Sequence, residues 1–310
     1  LTILMVIRKI IKFVQDYEQI NHIDGNKKNN KIRNLEIVNI EENGSRVQAD
    51  NNQENKIPYV MPPGIRRDFD NTSPIVRRNN EQSMSLCVNE LQDKDARAVF
   101  RNISLDLINY GKLKMFIHAQ QNGNSLLQDD NVNAFIRLGT DFESNYYEVE
   151  VPLKVTNNNA TSAEEIWPVE NEIDINFKDL AEVKKRRDLA NFPIESSYTQ
   201  TVGKYRITVR GRPNLTETEA LMIGARNPSS YPDESSKSVC IWVNELRLSD
   251  FDRTPGWAAN AFLGMKLADL GSVNASTRYT TFGFGGIQSR IQERTREEIL
   301  EYDVSANVNL

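Results

Sequence analysis

The sequence predicts a mainly β protein: an antiparallel, jelly-roll-like β-sandwich, followed by strands of the β-barrel type. Three observations carry this expectation. Short runs rich in β-branched and aromatic residues, bounded by Gly, Asn or Asp, recur through residues 94–250. Residues 251–310 alternate apolar and polar positions in runs of about 9–11 residues. Asn supplies 34 of the 310 residues, and it favours turns, loops and polar strand faces over helix interiors.

Composition removes several classes. A net charge of −5 and a pI near 5.4 disfavour a chain that grips nucleic acid along its whole surface. No run approaches the ~20 apolar residues of a membrane helix; the longest, Leu1 to Ile7, ends at Arg8 and precedes no small-residue cleavage site. Two cysteines, Cys87 and Cys240, exclude a disulfide scaffold and a four-Cys zinc site. Buried free thiols are their expected state, ahead of a mutual disulfide. The chain opens on Leu1 and stops at Leu310 inside an alternating run, which reads as a segment of a longer protein.

In order along the chain, residues 1–45 are Asn/Lys-rich, with a short helix expected at Thr2–Phe13. Residues 46–93 hold Pro62, Pro63, Gly64 and the basic pairs Arg66-Arg67 and Arg77-Arg78, and read as an extended connector. Within 94–250, strands are expected at Ile103–Asn109, Leu113–Ala119, Ala134–Leu138, Tyr146–Leu153, Tyr205–Arg210, Leu221–Ala225 and Val239–Leu248. Asp179–Leu189 is the helix, with Leu180, Val183 and Leu189 near helical spacing. Many short strands with one inserted helix point to a sandwich.

The last zone, 251–310, has the cleanest pattern. Trp257, Ala259, Ala261, Leu263, Met265 and Leu267 are apolar, and Phe262 is the exception between them. After a turn at Asp269–Gly271, Val273, Ala275 and Tyr279 face one way and Ser272, Asn274, Ser276 and Arg278 the other. Tyr302, Val304, Ala306, Val308 and Leu310 then alternate with Glu301, Asp303, Ser305, Asn307 and Asn309 without a miss. These lengths cross an outer membrane when tilted, and Trp257 with Tyr279 stand where an interfacial aromatic belt would lie. A soluble sandwich with one wet face shares the same period.

From Tyr59 onward the words themselves are informative. YVMPPGIRR (59–67), NEQSMSLCVNELQDKDARAVF (80–100), LINYGKLKMFIHAQ (107–120), NAFIRLGTDFESNYYEVEVPL (133–153) and IWPVENEID (166–174) resemble the SprA/Sov family. So do YRITVRGRPNL (205–215), VCIWVNELRLSDFD (239–252), GWAANAFLGMKLADL (256–270) and RYTTFGFGGIQ (278–288). The resemblance implies a large outer-membrane barrel at the cell surface of a Bacteroidetes-type bacterium. In that family the barrel is the translocon of type IX secretion and serves gliding motility. It also implies partners: outer-membrane lipid, a shuttle lipoprotein, a periplasmic plug and secreted protein cargo. Residues 58–310 are then non-enzymatic and carry no cofactor.

The first 45 residues resemble something else. INHIDGNKKNNKIRNLEIVN (20–39) followed by IEENG is similar to the HNH homing-endonuclease motif, a small ββα-metal fold. Carried over by position, His22 is the general base, Asn34 braces the loop that orients it, and Asn21 and Asn43 are metal ligands for Mg or Mn. Nucleic acid is a partner only under that alternative. Asn21 stands where an Asp would hold a hard cation better.

Other candidates have plainer readings. Trp242 or Tyr146 could stack a glycan on a glycan-binding sandwich, but core aromatics are the commoner role. Asp129, Asp130, Asn131 and Asn133, or Glu170, Glu172 and Asp174, could hold calcium; solvated loop charges are the expectation. KKRR (184–187) reads as a solvated helix face. His118 has no ligand-spaced partner and is expected to be structural. GFGG (283–286) precedes no helix and fails as a phosphate loop.

Overall fold

A computed structural model describes residues 21–22, 35–41, 57–65, 69–70, 77–78, 82–123, 127–228, 235–252, 254–289 and 293–308. Their strands, in chain order, are β1 (Asn21–His22), β2 (Leu35–Glu41), β3 (Phe69–Asp70), β4 (Arg77–Arg78), β5 (Gln82–Leu91), β6 (Ala96–Leu105), β7 (Tyr110–Gln121), β8 (Asn133–Gly139) and β9 (Tyr146–Pro152). After helix α1 (Ala163–Ile166) come β10 (Ile173–Asn176), helix α2 (Phe177–Leu189), β11 (Tyr198–Val202), β12 (Tyr205–Arg210), β13 (Thr218–Arg226) and β14 (Lys237–Phe251). The chain ends in β15 (Ala258–Leu267), β16 (Gly271–Thr280) and β17 (Ile299–Val308). Two compact units are distinguished, Leu1–Asp250 and Phe251–Leu310.

The first unit is a two-sheet antiparallel sandwich. One sheet has the order β1-β6-β13-β8-β9-β12-β11 and the other β10-β7-β14-β5-β2. Alternate residues of both sheets share one core: Met84, Leu86 and Val88 of β5, Leu113, Met115 and Ile117 of β7, Ile136 of β8, Val149 of β9, Ile223 of β13 and Ile241 of β14. This is the period-two rule of strands meeting face to face. α2 closes the core with Phe177, Leu180 and Val183, spaced to share one helical stripe.

The outer faces are partly covered too, so β8, β9 and most of β13 read as nearly continuous buried runs rather than alternating ones. Over the five-stranded sheet lie Ile57, Tyr59, Ile166, Trp167 and Trp242 in a second cluster. Trp167 Nε1–H donates to the Val60 carbonyl at 2.7 Å, and Asn244 Nδ2–H donates to the Tyr59 hydroxyl at 2.8 Å. α1 is held by a capping box between Ser162 and Glu165. On the seven-stranded sheet, Phe135 and Met222 pack with Ala96 and Ala98.

Several expectations are corrected. The stretch read as an extended connector contains β5, whose Met84, Leu86, Val88 and Leu91 lie in the core. The strand expected at Ile103–Asn109 starts earlier and ends at Leu105, because Leu107 accepts the turn bond from Tyr110 N–H. Cys87 and Cys240 are not free thiols. They sit directly opposite on β5 and β14 and form a disulfide across 153 residues. Arg187 is not solvated: it is 1% exposed and donates to the Gly211 carbonyl and to Asp188. Lys184, half-buried, donates to the Pro213 carbonyl at 2.9 Å. The helix expected at Thr2–Phe13 lies outside the described residues.

Candidate functional site: a two-faced three-stranded sheet

The second unit is a meander in the order β15-β16-β17, with every strand ten residues long. The pairing runs without a slip from Ala258↔Thr280 to Leu267↔Gly271, and from Gly271↔Val308 to Thr280↔Ile299. Successive side chains point to opposite faces, so this register sorts the residues. One face carries Ala259, Ala261, Leu263, Met265 and Leu267, beside Tyr279, Thr277, Ala275, Val273 and Gly271, beside Leu300, Tyr302, Val304, Ala306 and Val308. Thr277 is its one polar side chain.

The other face is polar. Arg278 stands opposite Glu301, Ser276 opposite Asp303, Asn274 opposite Ser305 and Ser272 opposite Asn307, with Asn260 and Lys266 on β15. A strand face of this composition stays hydrated. Phe262, 76% exposed, and Ile299, 38% exposed, are the large apolar exceptions on this face. On the apolar face Leu263, Tyr302 and Val304 are 56%, 80% and 69% exposed. A continuous exposed apolar surface of this extent marks a surface that meets something other than water.

The two ends of the sheet differ. At one, β15 and β16 are joined by the three-residue turn Ala268–Leu270, with Ala268 and Gly271 at positive φ. A side chain on Gly271 would meet the Asn307 carbonyl oxygen at 2.0 Å, so this position takes only glycine. At the other end Trp257 and Tyr279 pack edge to face at 5.1 Å. There residues 281–298 connect β16 to β17. Gly283 N–H donates to the Thr295 carbonyl and Thr295 N–H to the Phe284 carbonyl, which gives the described part of this loop its own pairing.

Elsewhere three of the carboxylates that sequence alone marks as calcium candidates have partners within the fold. Asp129 accepts from the Val155 N–H, Glu170 pairs with Lys154, and Asp174 takes Lys114 at 2.7 Å. Among the described residues, no group of three or more His, Cys, Asp or Glu side chains is gathered to hold a metal. Trp242 is fully buried and Tyr146 nearly so, which leaves neither as a stacking platform. His118 is fully buried against Trp242, its Nδ1 within 2.8 Å of the Ile166 carbonyl and 3.0 Å of the Thr156 hydroxyl. Burial lowers its pKa to about 4, so the ring is neutral at pH 7.

Asn21 and His22 form the backbone of β1, paired with Ala98 and Arg97 of β6, while Asn34 and Asn43 lie outside the described residues. β2, from the same region, pairs with β5 in the other sheet. The two strands of the HNH-like segment thus enter different sheets of the sandwich and do not pair with each other.

Sequence reasoning missed one cluster outright. Arg137, Glu148, Glu150 and Arg226 occupy alternate positions of β8, β9 and β13, where a wet sheet face is the usual reading. Arg137 instead donates to Glu148 at 2.6 Å and Arg226 bridges Glu148 and Glu150, each at 2.7 Å. Both carboxylates are almost fully buried. Arg226 and Arg137 hold the Glu148 pKa below its usual value against the opposing effect of burial. Asn133 completes the network with a bond to Glu150 at 2.7 Å. The signal for it is four ionisable residues of balanced charge inside otherwise apolar strands.

Compared with known proteins, residues 5–310 match the family SprA_N, described as a motility related/secretion protein. The match begins ahead of residue 58, and it runs through the segment with HNH-like spacing. No curated protein matches the chain.

Proposed function

The chain belongs to the SprA_N family of motility-related and secretion proteins, and from that premise we propose that it is part of an outer-membrane barrel through which protein cargo leaves the cell. In this reading β15, β16 and β17 are neighbouring staves of the barrel wall. The observation that carries it is the register of the three strands, which places fifteen positions on one face with Thr277 as the only polar side chain.

Geometry supports the assignment in two ways. A ten-residue strand is about 34 Å long at ~3.4 Å per residue. Tilted by ~40°, it spans about 26 Å, close to the ~25 Å apolar band of outer-membrane barrels. Three strands alone leave bare edges, which lipid does not tolerate, so closure needs further strands. The polar face, with Arg278, Glu301 and Asp303, then meets a water-filled lumen.

The sandwich supports an envelope setting independently. A disulfide between β5 and β14 persists in oxidising compartments such as the periplasm or cell surface. In this account the sandwich is a folded, non-catalytic module of the translocon. The shuttle lipoprotein, the periplasmic plug and the cargo are the proposed partners of the translocon as a whole.

The test is biochemical. The full-length protein should fractionate with outer membranes and migrate faster on an unheated gel than after boiling, as folded barrels do. Recovery in the soluble fraction with no heat-dependent shift would sink the proposal.

A further inference from the structure

The two ends of the β15–β17 sheet are built so differently that they assign its orientation. Resting on the barrel reading above, we infer that the Trp257–Tyr279 end, with the described loop residues 281–289 and 293–298, faces the cell exterior. The Ala268–Leu270 turn faces the periplasm.

Barrels of this class have short periplasmic turns and longer extracellular loops. Here the contrast is between the three-residue turn Ala268–Leu270 and a loop over residues 281–298. The turn closes tightly, with Gly271 packed against the Asn307 carbonyl. The loop instead carries its own structure. Besides the Gly283–Thr295–Phe284 backbone bonds, Thr281 N–H donates to the Trp257 carbonyl at 2.9 Å and Tyr279 donates its hydroxyl to Glu298.

The stretch that leads into β15 is part of the same end. A side chain on Gly256 would meet the Phe284 backbone nitrogen at 1.9 Å, so the entering chain and the loop lie in direct backbone contact. Exposed apolar groups, Ile287 fully and Phe282 at 40%, stand on this loop. The aromatic pair marks a membrane–water boundary, but girdles occur at both boundaries. The asymmetry of the connections therefore decides the side. The chain accordingly enters β15 from the exterior, and β17 returns from the exterior to the periplasm.

The experiment uses the full-length protein in its own cells, with single cysteines at Gln288→Cys in the loop and Asp269→Cys in the turn. Cys87 and Cys240 are buried and paired, and the parent protein labelled without either new cysteine sets the background, so a bulky membrane-impermeant maleimide reports the new thiols by difference. Labelling of Gln288→Cys on intact cells, with Asp269→Cys labelled only after the outer membrane is permeabilised, is the expected result. The reverse pattern would overturn the orientation while leaving the barrel intact. Labelling of both sites only after permeabilisation, with the protein in the soluble fraction, would overturn the barrel reading itself.

Discussion

Replacing Leu263 by Arg separates a lipid-facing sheet from a soluble one, provided Phe262→Arg is measured beside it. Leu263 is the sixth of ten residues in β15 and shares one cross-strand row with Ala275 and Val304. That places it near mid-height on the apolar face. An Arg on the lipid face at the bilayer midplane costs about 2–4 kcal/mol. At ~1.4 kcal/mol per tenfold, this is a fall of roughly 30- to 700-fold in the folding equilibrium. Phe262, one residue away, points to the polar face, where the added charge meets water and the cost is within about 0.5 kcal/mol. Both side chains are exposed in the isolated sheet, 56% and 76%, so a sheet wet on both faces predicts two equally small effects. The assay is the yield of heat-modifiable folded protein in outer membranes, backed by urea titration in liposomes. Equal yields for the two variants would refute the assignment of faces.

Three further predictions concern the sandwich. Arg226→Met should destabilise it by about 3–5 kcal/mol, because Glu148 and Glu150 are left buried with too little positive charge; a urea midpoint within error of the parent would contradict this. His118, with its pKa lowered to about 4, binds fewer protons folded than unfolded between about pH 4 and the unfolded value of ~6.5. Stability should thus fall as the pH drops through that window, by up to about 3 kcal/mol from this group. His118→Gln should flatten that part of the profile, and an unchanged slope would count against the assignment. Reducing Cys87–Cys240 should lower the thermal midpoint, since closing a loop of 153 residues is worth up to about 5 kcal/mol on chain-entropy grounds; an unmoved midpoint would show that the strands hold each other without it.

The elements of the second unit were legible in the sequence because each strand has one apolar and one polar face, and period two survives intact from Glu301 to Val308. The expected runs agree with β15 and β17 closely. The sandwich was legible as strands but not as burial. Where both faces of a strand are covered, alternation vanishes, and Asn133 to Gly139 is buried at every position.

β5 was hidden by its surroundings. Pro, Gly and Arg pairs precede it, and its outward positions hold Ser85 and Cys87 rather than an obvious polar alternation. The disulfide and the Arg137–Glu148–Arg226 network were illegible for a different reason. Each depends on which strands become neighbours, and β13 lies between β6 and β8 in a sheet order that local spacing does not encode. Arg187 shows the same limit on a helix. Its position in a basic run suggests solvent, while the Gly211 carbonyl 24 residues away claims it.

The central claim is that β17 crosses a bilayer with one face in lipid. Nitroxide scanning from Glu301 to Val308, in the full-length protein within its membrane, tests it most directly. Tyr302, Val304, Ala306 and Val308 should be reached by dissolved oxygen and shielded from a water-soluble relaxation agent. Glu301, Asp303, Ser305 and Asn307 should show the opposite accessibility. Equal access of the water-soluble agent to both sets would contradict it.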